Sequence, residues 1–148
     1  MAKYCASINL RNAARAVTRH YDRSLSAAGV TAVQLPLLAA ICYGANASIA
    51  TLAHVLDLER STISRDVDVL VQRGLIQRKG GEDKRITALH LTPKGHNVLA
   101  KAFAAWNRAH EEVVDAFGEE ELQSLLTRAR RLGRALKPSE SSSPKPRR

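Results

Sequence analysis

A chain of 148 residues with 45% apolar content and two cysteines has the length of one globular domain. Its composition is neither that of a disordered chain nor that of a disulfide-framed secreted one. A formal charge of +9 and an isoelectric point near 10.2 favour an anionic partner such as nucleic acid or an acidic membrane surface. The longest nearly apolar run, residues 35–43, falls far short of the roughly 20 that span a bilayer.

The first five residues lead into a charged amphipathic segment and not into an apolar signal core, so a cytoplasmic protein is expected. Leu10, Ala14, Val17, Tyr21 and Leu25 recur at helical spacing over residues 5–27, with Arg11, Arg15, Arg19 and Arg23 on other faces. Thr31 and Gln34 stand at capping-box spacing, which predicts a second helix from residue 32 up to Gly44. Pro36 falls about one turn into it and should remove one backbone hydrogen bond, with a slight bend. Ser48 has the chemistry of an N-cap for a short helix that turns Ile49, Leu52, Ala53 and Leu56 inward.

The stretch 58–95 is the most informative. With Ile63 set at zero and each residue advanced by about 100°, Val67 and Leu70 lie within about 40° and Val71 at about 80°, a continuous apolar stripe. The opposite side collects Ser61, Arg65, Asp68 and Gln72, with Thr62 and Ser64 on its flanks near the helix start. Short hydroxyls and a bidentate donor are the side chains that reach base edges and phosphates when a helix enters a major groove. Asp68, one turn from Arg65, could orient it, accept from a cytosine amino group, or be an ordinary surface carboxylate. Gly74 suits the left-handed residue that closes a helix. Two β-prone runs, residues 75–76 and 86–91, flank a glycine-containing segment with Lys79, Lys84 and Arg85, a hairpin with a basic tip. Each piece alone is equally an ordinary solvated surface; their order is that of a winged helix-turn-helix.

Thr92 and Pro93 then read as N-cap and first residue of a long helix, along which Leu99, Ala102, Trp106, Val113 and Phe117 keep a near-heptad rhythm up to Gly118. Leu122, Leu125, Ala129, Leu132 and Leu136 continue it over a last helix. The tail, residues 137–148, holds four cations and one carboxylate among serines and prolines and is expected to be a disordered basic arm. Six of the nine net positive charges therefore remain in residues 1–136.

The order and spacing of Leu52 and Ala53, of Ser61 through Arg65, of Leu70 with Arg73, Gly74, Leu75 and Ile76, of Arg78, of Asp83 and Arg85, and of Leu91, Thr92, Lys94 and Gly95 resembles the multiple-antibiotic-resistance regulator (MarR) family of bacterial transcription factors. The resemblance is tight over about residues 48–95 and loose in the flanking helices. It implies a single domain over 1–136, mainly α with a small β-wing, with the winged helix-turn-helix at 48–91. It further implies an obligate homodimer, intertwined through residues 5–27 and 96–136, on a pseudopalindromic double-stranded operator that it releases when a small organic molecule or an oxidant arrives. Arg85 would be the wing arginine that enters the minor groove, and Asp83 the carboxylate that holds the wing.

The expected activity is thus that of a sequence-specific DNA-binding regulator, in the first instance a repressor, with Ser61, Thr62, Ser64, Arg65, Gln72, Lys79, Lys84 and Arg85 on the DNA. Cys5 is a candidate redox sensor, since a helix start and the nearby Lys3 both lower a thiol's pKa. Its placement is similar to that of the peroxidatic cysteine in the organic-hydroperoxide branch of the family, although the tyrosines around it are reduced to Tyr4 and Tyr21. Cys42, the second candidate thiol, reads most simply as a small core residue. Of five histidines, His110 alone adjoins carboxylates, Glu111 and Glu112, which adjacent positions place on different faces, so neither a metal site nor a cofactor is expected, and metal sensing stays only as a minor alternative to an organic or oxidant effector. No nucleophile elbow, P-loop or paired-carboxylate pattern speaks for an enzyme. The alternative is an architectural or protein-interaction winged helix that binds DNA without sequence preference.

Overall fold

The computed structural model describes residues 5–44, 47–80 and 87–136; Lys3, Asp83, Lys84, Arg85 and the basic tail lie outside them. The chain forms two compact units, Met1–His110 and Glu111–Arg148, that meet within one long helix.

Helix α1, Ala6–Leu25, starts after Cys5, whose extended backbone marks the N-cap but whose side chain makes no capping bond. The apolar stripe read from its spacing splits in two. Tyr21 packs against the core and Leu25 is fully buried, whereas Leu10 and Val17 are 42% and 45% exposed, as is every residue from Ala6 to Val17. A 3₁₀ turn, Ser26–Ala28, and Gly29 at φ 73° lead to α2, Gln34–Tyr43. The capping box forms: Gln34 N–H donates to Thr31 Oγ1 at 3.2 Å and Thr31 N–H to Gln34 Oε1 at 3.4 Å. Yet the regular helix begins at Gln34 and not at Ala32. Leu35 N–H reaches the Thr31 carbonyl at 3.0 Å, but Pro36 has no N–H to continue the ladder, so the expected lost bond shows itself as a later start. Leu35, Leu37, Leu38 and Ile41 of α2 are buried.

Ser48 caps α3, Ile49–Leu56, by accepting from Thr51 N–H at 3.1 Å, and Leu52 and Ala53 go inward. Helix α4, Arg60–Gln72, buries Ile63, Val67 and Leu70, the stripe read from the sequence. Strands β1, Ile76–Gly80, and β2, Thr87–Leu91, pair antiparallel with Ile76 opposite Leu91 and Gly80 opposite Thr87. Lys79, expected at the hairpin tip, lies inside β1 opposite Ala88. The sheet is tied sideways by Leu89 N–H, which donates to the Ala47 carbonyl at 2.8 Å.

Helix α5, Pro93–Phe117, crosses from one unit to the other. In the first unit Leu99 and Ala102, counted among the dimer-facing stripe by their spacing, are buried together with Ala105 and Ala109. Leu25, Leu38, Val67, Leu70 and Ala102, from four helices, have no accessible surface and mark the centre of that unit's core. In the second unit α6, Glu119–Ala135, buries Leu122 alone among its described residues, while Leu125, Leu126 and Leu132 are exposed.

Candidate nucleic-acid interface

The reading element is assembled from two helix ends of the same design. At the end of α3, Asp57 takes the left-handed conformation at φ 54°, and Leu58 N–H closes back on the Ala53 carbonyl at 3.0 Å. At the end of α4 Gly74 does the same at φ 68°, with Leu75 N–H on the Leu70 carbonyl at 2.9 Å and Gly74 N–H on that of Val71 at 2.9 Å. Both are Schellman closures, in which one left-handed residue reverses the chain and satisfies the last carbonyls. The first sets α4 across α3; the second sends the chain directly into the wing.

Burial of Ile63, Val67 and Leu70 fixes which side of α4 faces out. Ser61, Arg65, Asp68 and Gln72 are exposed there, and Thr62 and Ser64 are half-buried beside them. The first turn of α4 carries no carboxylate and its N-cap, Glu59, makes no side-chain capping bond, so the free N–H groups of that turn are not taken up by a capping side chain. Arg65 makes no hydrogen bond or ion pair with any described residue, and its bidentate fork is available. Lys79 is exposed on β1. Lys84, Arg85 and Asp83, the tip residues and the wing carboxylate, fall outside the described residues.

Asp68 has a partner that sequence spacing did not reveal. Its Oδ1 accepts from the guanidinium of Arg78 on β1, both side chains remaining about half exposed at 50% and 42%. It therefore joins the reading helix to the wing instead of orienting Arg65. Three further contacts set the wing's root. Thr92 Oγ1 donates to the Gly74 carbonyl at 2.7 Å, Lys94 Nζ donates to the Arg73 carbonyl at 2.9 Å, and Gly95 N–H donates to Thr92 Oγ1 at 3.0 Å as the first capping bond of α5. Arg73 in turn donates to the carbonyl of Gly29. A Cβ on Gly95 would sit 2.1 Å from the Leu75 carbonyl oxygen, so glycine is what lets α5 meet the strand so closely.

The candidate sensor residues lie elsewhere in the first unit. Cys5 and Cys42 are both free thiols of intermediate exposure. Cys42 packs against the core, as expected of a small apolar residue, and its Sγ also lies 3.9 Å from Nδ1 of His96. His110 is engaged by an aromatic group. Tyr21 OH hydrogen-bonds its Nδ1 at 2.9 Å, and the Trp106 ring stacks on it with centroids 4.9 Å apart. Burial raises the pKa of the Tyr21 phenol. Among the described residues no three His, Cys, Asp or Glu side chains gather as a metal would require.

Helix α3, a tight turn, an outward-facing α4 and a two-stranded wing constitute a winged helix-turn-helix. The chain belongs to the MarR family, whose sequence profile matches residues 28–86. It is 30% identical over 128 residues to the putative transcriptional regulatory protein for the hcr operon of Thauera aromatica, covering 85% of this chain and 77% of that one. It is 33% identical over 84 residues to the HTH-type transcriptional regulator BilQ of Clostridium symbiosum, a match to 56% of this chain that spans 58% of the relative's length. Among solved structures, the transcriptional regulator MosR of M. tuberculosis in complex with DNA superposes with a TM-score of 0.77 at 30% identity, over 90% of this chain and 99% of that one. Among the described residues no helix is long and apolar enough to cross a membrane.

Proposed function

We propose that this protein is a homodimeric, sequence-specific regulator of transcription that represses from a pseudopalindromic operator and is released by a small organic ligand or by thiol oxidation, working in the cytoplasm where its DNA is. The observation that carries the reading is the outward face of α4. A row of donor side chains, with Arg65 at its centre unengaged by any described residue, stands directly beside a wing joined to the same helix by Asp68 and Arg78. In this reading Arg65 takes a guanine edge. Ser61, Thr62 and Ser64 take phosphate at the helix start, and Gln72 and Lys79 flank them. Lys84 and Arg85 continue the contact along the wing, with Asp83 shaping it. Two reading helices related by a two-fold axis engage half-sites about one helical turn apart. Family membership speaks for a regulator and against an enzyme. For release, Cys5 at the start of α1 and Cys42 beside His96 are the oxidisable groups, and an organic ligand is the other trigger.

The test is fluorescence anisotropy of DNA from the intergenic region beside the protein's own gene, against scrambled DNA at physiological salt, with and without reductant. Binding about a thousandfold tighter than to the scrambled control, one dimer per site, is expected. Equal binding to both DNAs would overturn the reading in favour of an architectural module. Release by peroxide that survives both Cys5→Ser and Cys42→Ser would overturn thiol oxidation as the trigger.

A further inference from the structure

One apolar side chain stands on the polar side of α4. Ile63, Val67 and Leu70 are buried and Val71 packs against the core, whereas Val69 is 42% exposed. With Ile63 at zero and about 100° per residue, Val69 falls at about 240°, between Arg65 at about 200° and Thr62 at about 260°. Thr62, Arg65 and Val69 follow one another at i, i+3 and i+7, so they are successive neighbours in one row of the helix surface. Arg65 makes no hydrogen bond or ion pair with any described residue, and Asp68, on its other side, is taken up by Arg78 of the wing. Helix α4 gains little from a valine here. Much of the side chain stays in water, and a β-branched residue is a poorer helix former than the arginine or lysine of an ordinary outer face.

From this placement we infer that Val69 is a specificity-determining residue, whose methyl groups pack against the C5-methyl of a thymine close to the base pair read by Arg65. The inference rests on the regulator reading above and adds a base that each half-site carries. Thymine alone presents a methyl group in the major groove, and a short branched side chain without donor or acceptor has no means of recognising the other bases. Water leaves both apolar surfaces when they meet, which supplies the driving force. Four residues of helix rise about 6 Å and successive bases about 3.4 Å, so the thymine lies within about two base pairs of the Arg65 contact. The guanidinium and the valine then read neighbouring positions by different chemistry, one by hydrogen bonds and the other by contact.

The experiment replaces each thymine of the operator in turn by deoxyuridine, which removes the C5-methyl and leaves every hydrogen-bonding group in place. Binding of the full-length protein and of full-length V69A is titrated by anisotropy on each DNA. In the unaltered protein one thymine per half-site is expected to lose about fourfold in affinity, the worth of one buried methyl. V69A is expected to bind the thymine and deoxyuridine forms of that position equally, while its unfolding midpoint and its affinity for scrambled DNA stay those of the unaltered protein. An operator preferred over scrambled DNA but indifferent to every thymine methyl would overturn this contact alone, and the unaltered protein suffices to show it. A sensitivity that V69A preserves would overturn it too, by assigning the methyl to another residue. If no sequence were bound in preference to scrambled DNA, the regulator reading itself would fall and the contact with it.

Discussion

Arg78 on the first wing strand donates to Asp68 on the outer face of α4, so the wing and the reading helix are held by a side-chain pair as well as by the turn between them. Both partners are about half exposed, and such pairs contribute only about 0.2–1 kcal/mol to folding. Their effect should therefore appear in DNA binding and not in stability. Asp68→Ala and Arg78→Ala are expected to leave the unfolding midpoint nearly unchanged and to weaken operator binding to a similar degree, with the double variant no worse than either single one. Fully additive losses in anisotropy titrations would show instead that each contacts DNA on its own.

Arg65→Ala should cost roughly 1–3 kcal/mol on the operator and relax the preference at one base position, because a bidentate contact to a base edge carries sequence information. Lys79→Ala should weaken operator and random DNA alike and lower the salt slope by about one, as loss of a phosphate contact does. Titrations at several salt concentrations separate the two. Equal loss on both DNAs for Arg65→Ala would make Arg65 a backbone contact.

The two glycines at the wing's root should respond differently. Gly74→Ala meets no atom within 4 Å but must keep φ 68°, a penalty of about 1 kcal/mol. Gly95→Ala drives a methyl into the Leu75 carbonyl and has to separate α5 from the strand, so it should cost more than twice as much. Urea unfolding of both variants decides this; a milder Gly95→Ala would mean that the junction yields.

Tyr21 gives an alkaline signature. Its folded-state pKa is raised by burial, so the unfolded chain gives up that proton first once pH passes about 10. The phenol's contribution is fully present below that value and is lost as pH rises through the higher folded-state pKa. Tyr21→Phe should flatten this part of the stability curve relative to the unaltered protein, measured by urea unfolding between about pH 9 and 11. An unchanged slope would assign the loss to other groups.

Local signals located most of the elements. Ser48, Thr92 and Gly74 declare their helix ends because capping chemistry acts over three or four residues, and the stripe of Ile63, Val67 and Leu70 showed which side of α4 would be free. What depends on distance in sequence was not legible. Asp68 and Arg78 are ten residues apart, and their meeting requires the twist of a hairpin. Ala105 and Ala109 are buried because α5 approaches its neighbours closely, and alanine does not stand out in an apolar pattern. The stripe of α1 looked uniform although its first half is left exposed by the described residues, a distinction that periodicity does not contain. Lys79 was taken for the tip because hairpin length depends on pairing that charged residues do not advertise.

The bonds from Thr92 to Gly74 and from Lys94 to Arg73, closed over Gly95, leave no slack where the reading helix ends, the wing is rooted and α5 begins. Three elements that meet without a hinge turn as one body. In the proposed complex a tilt of α5 at this joint would reach the groove as a change in the angle of α4, so control of DNA release could be exercised from a helix outside the reading element.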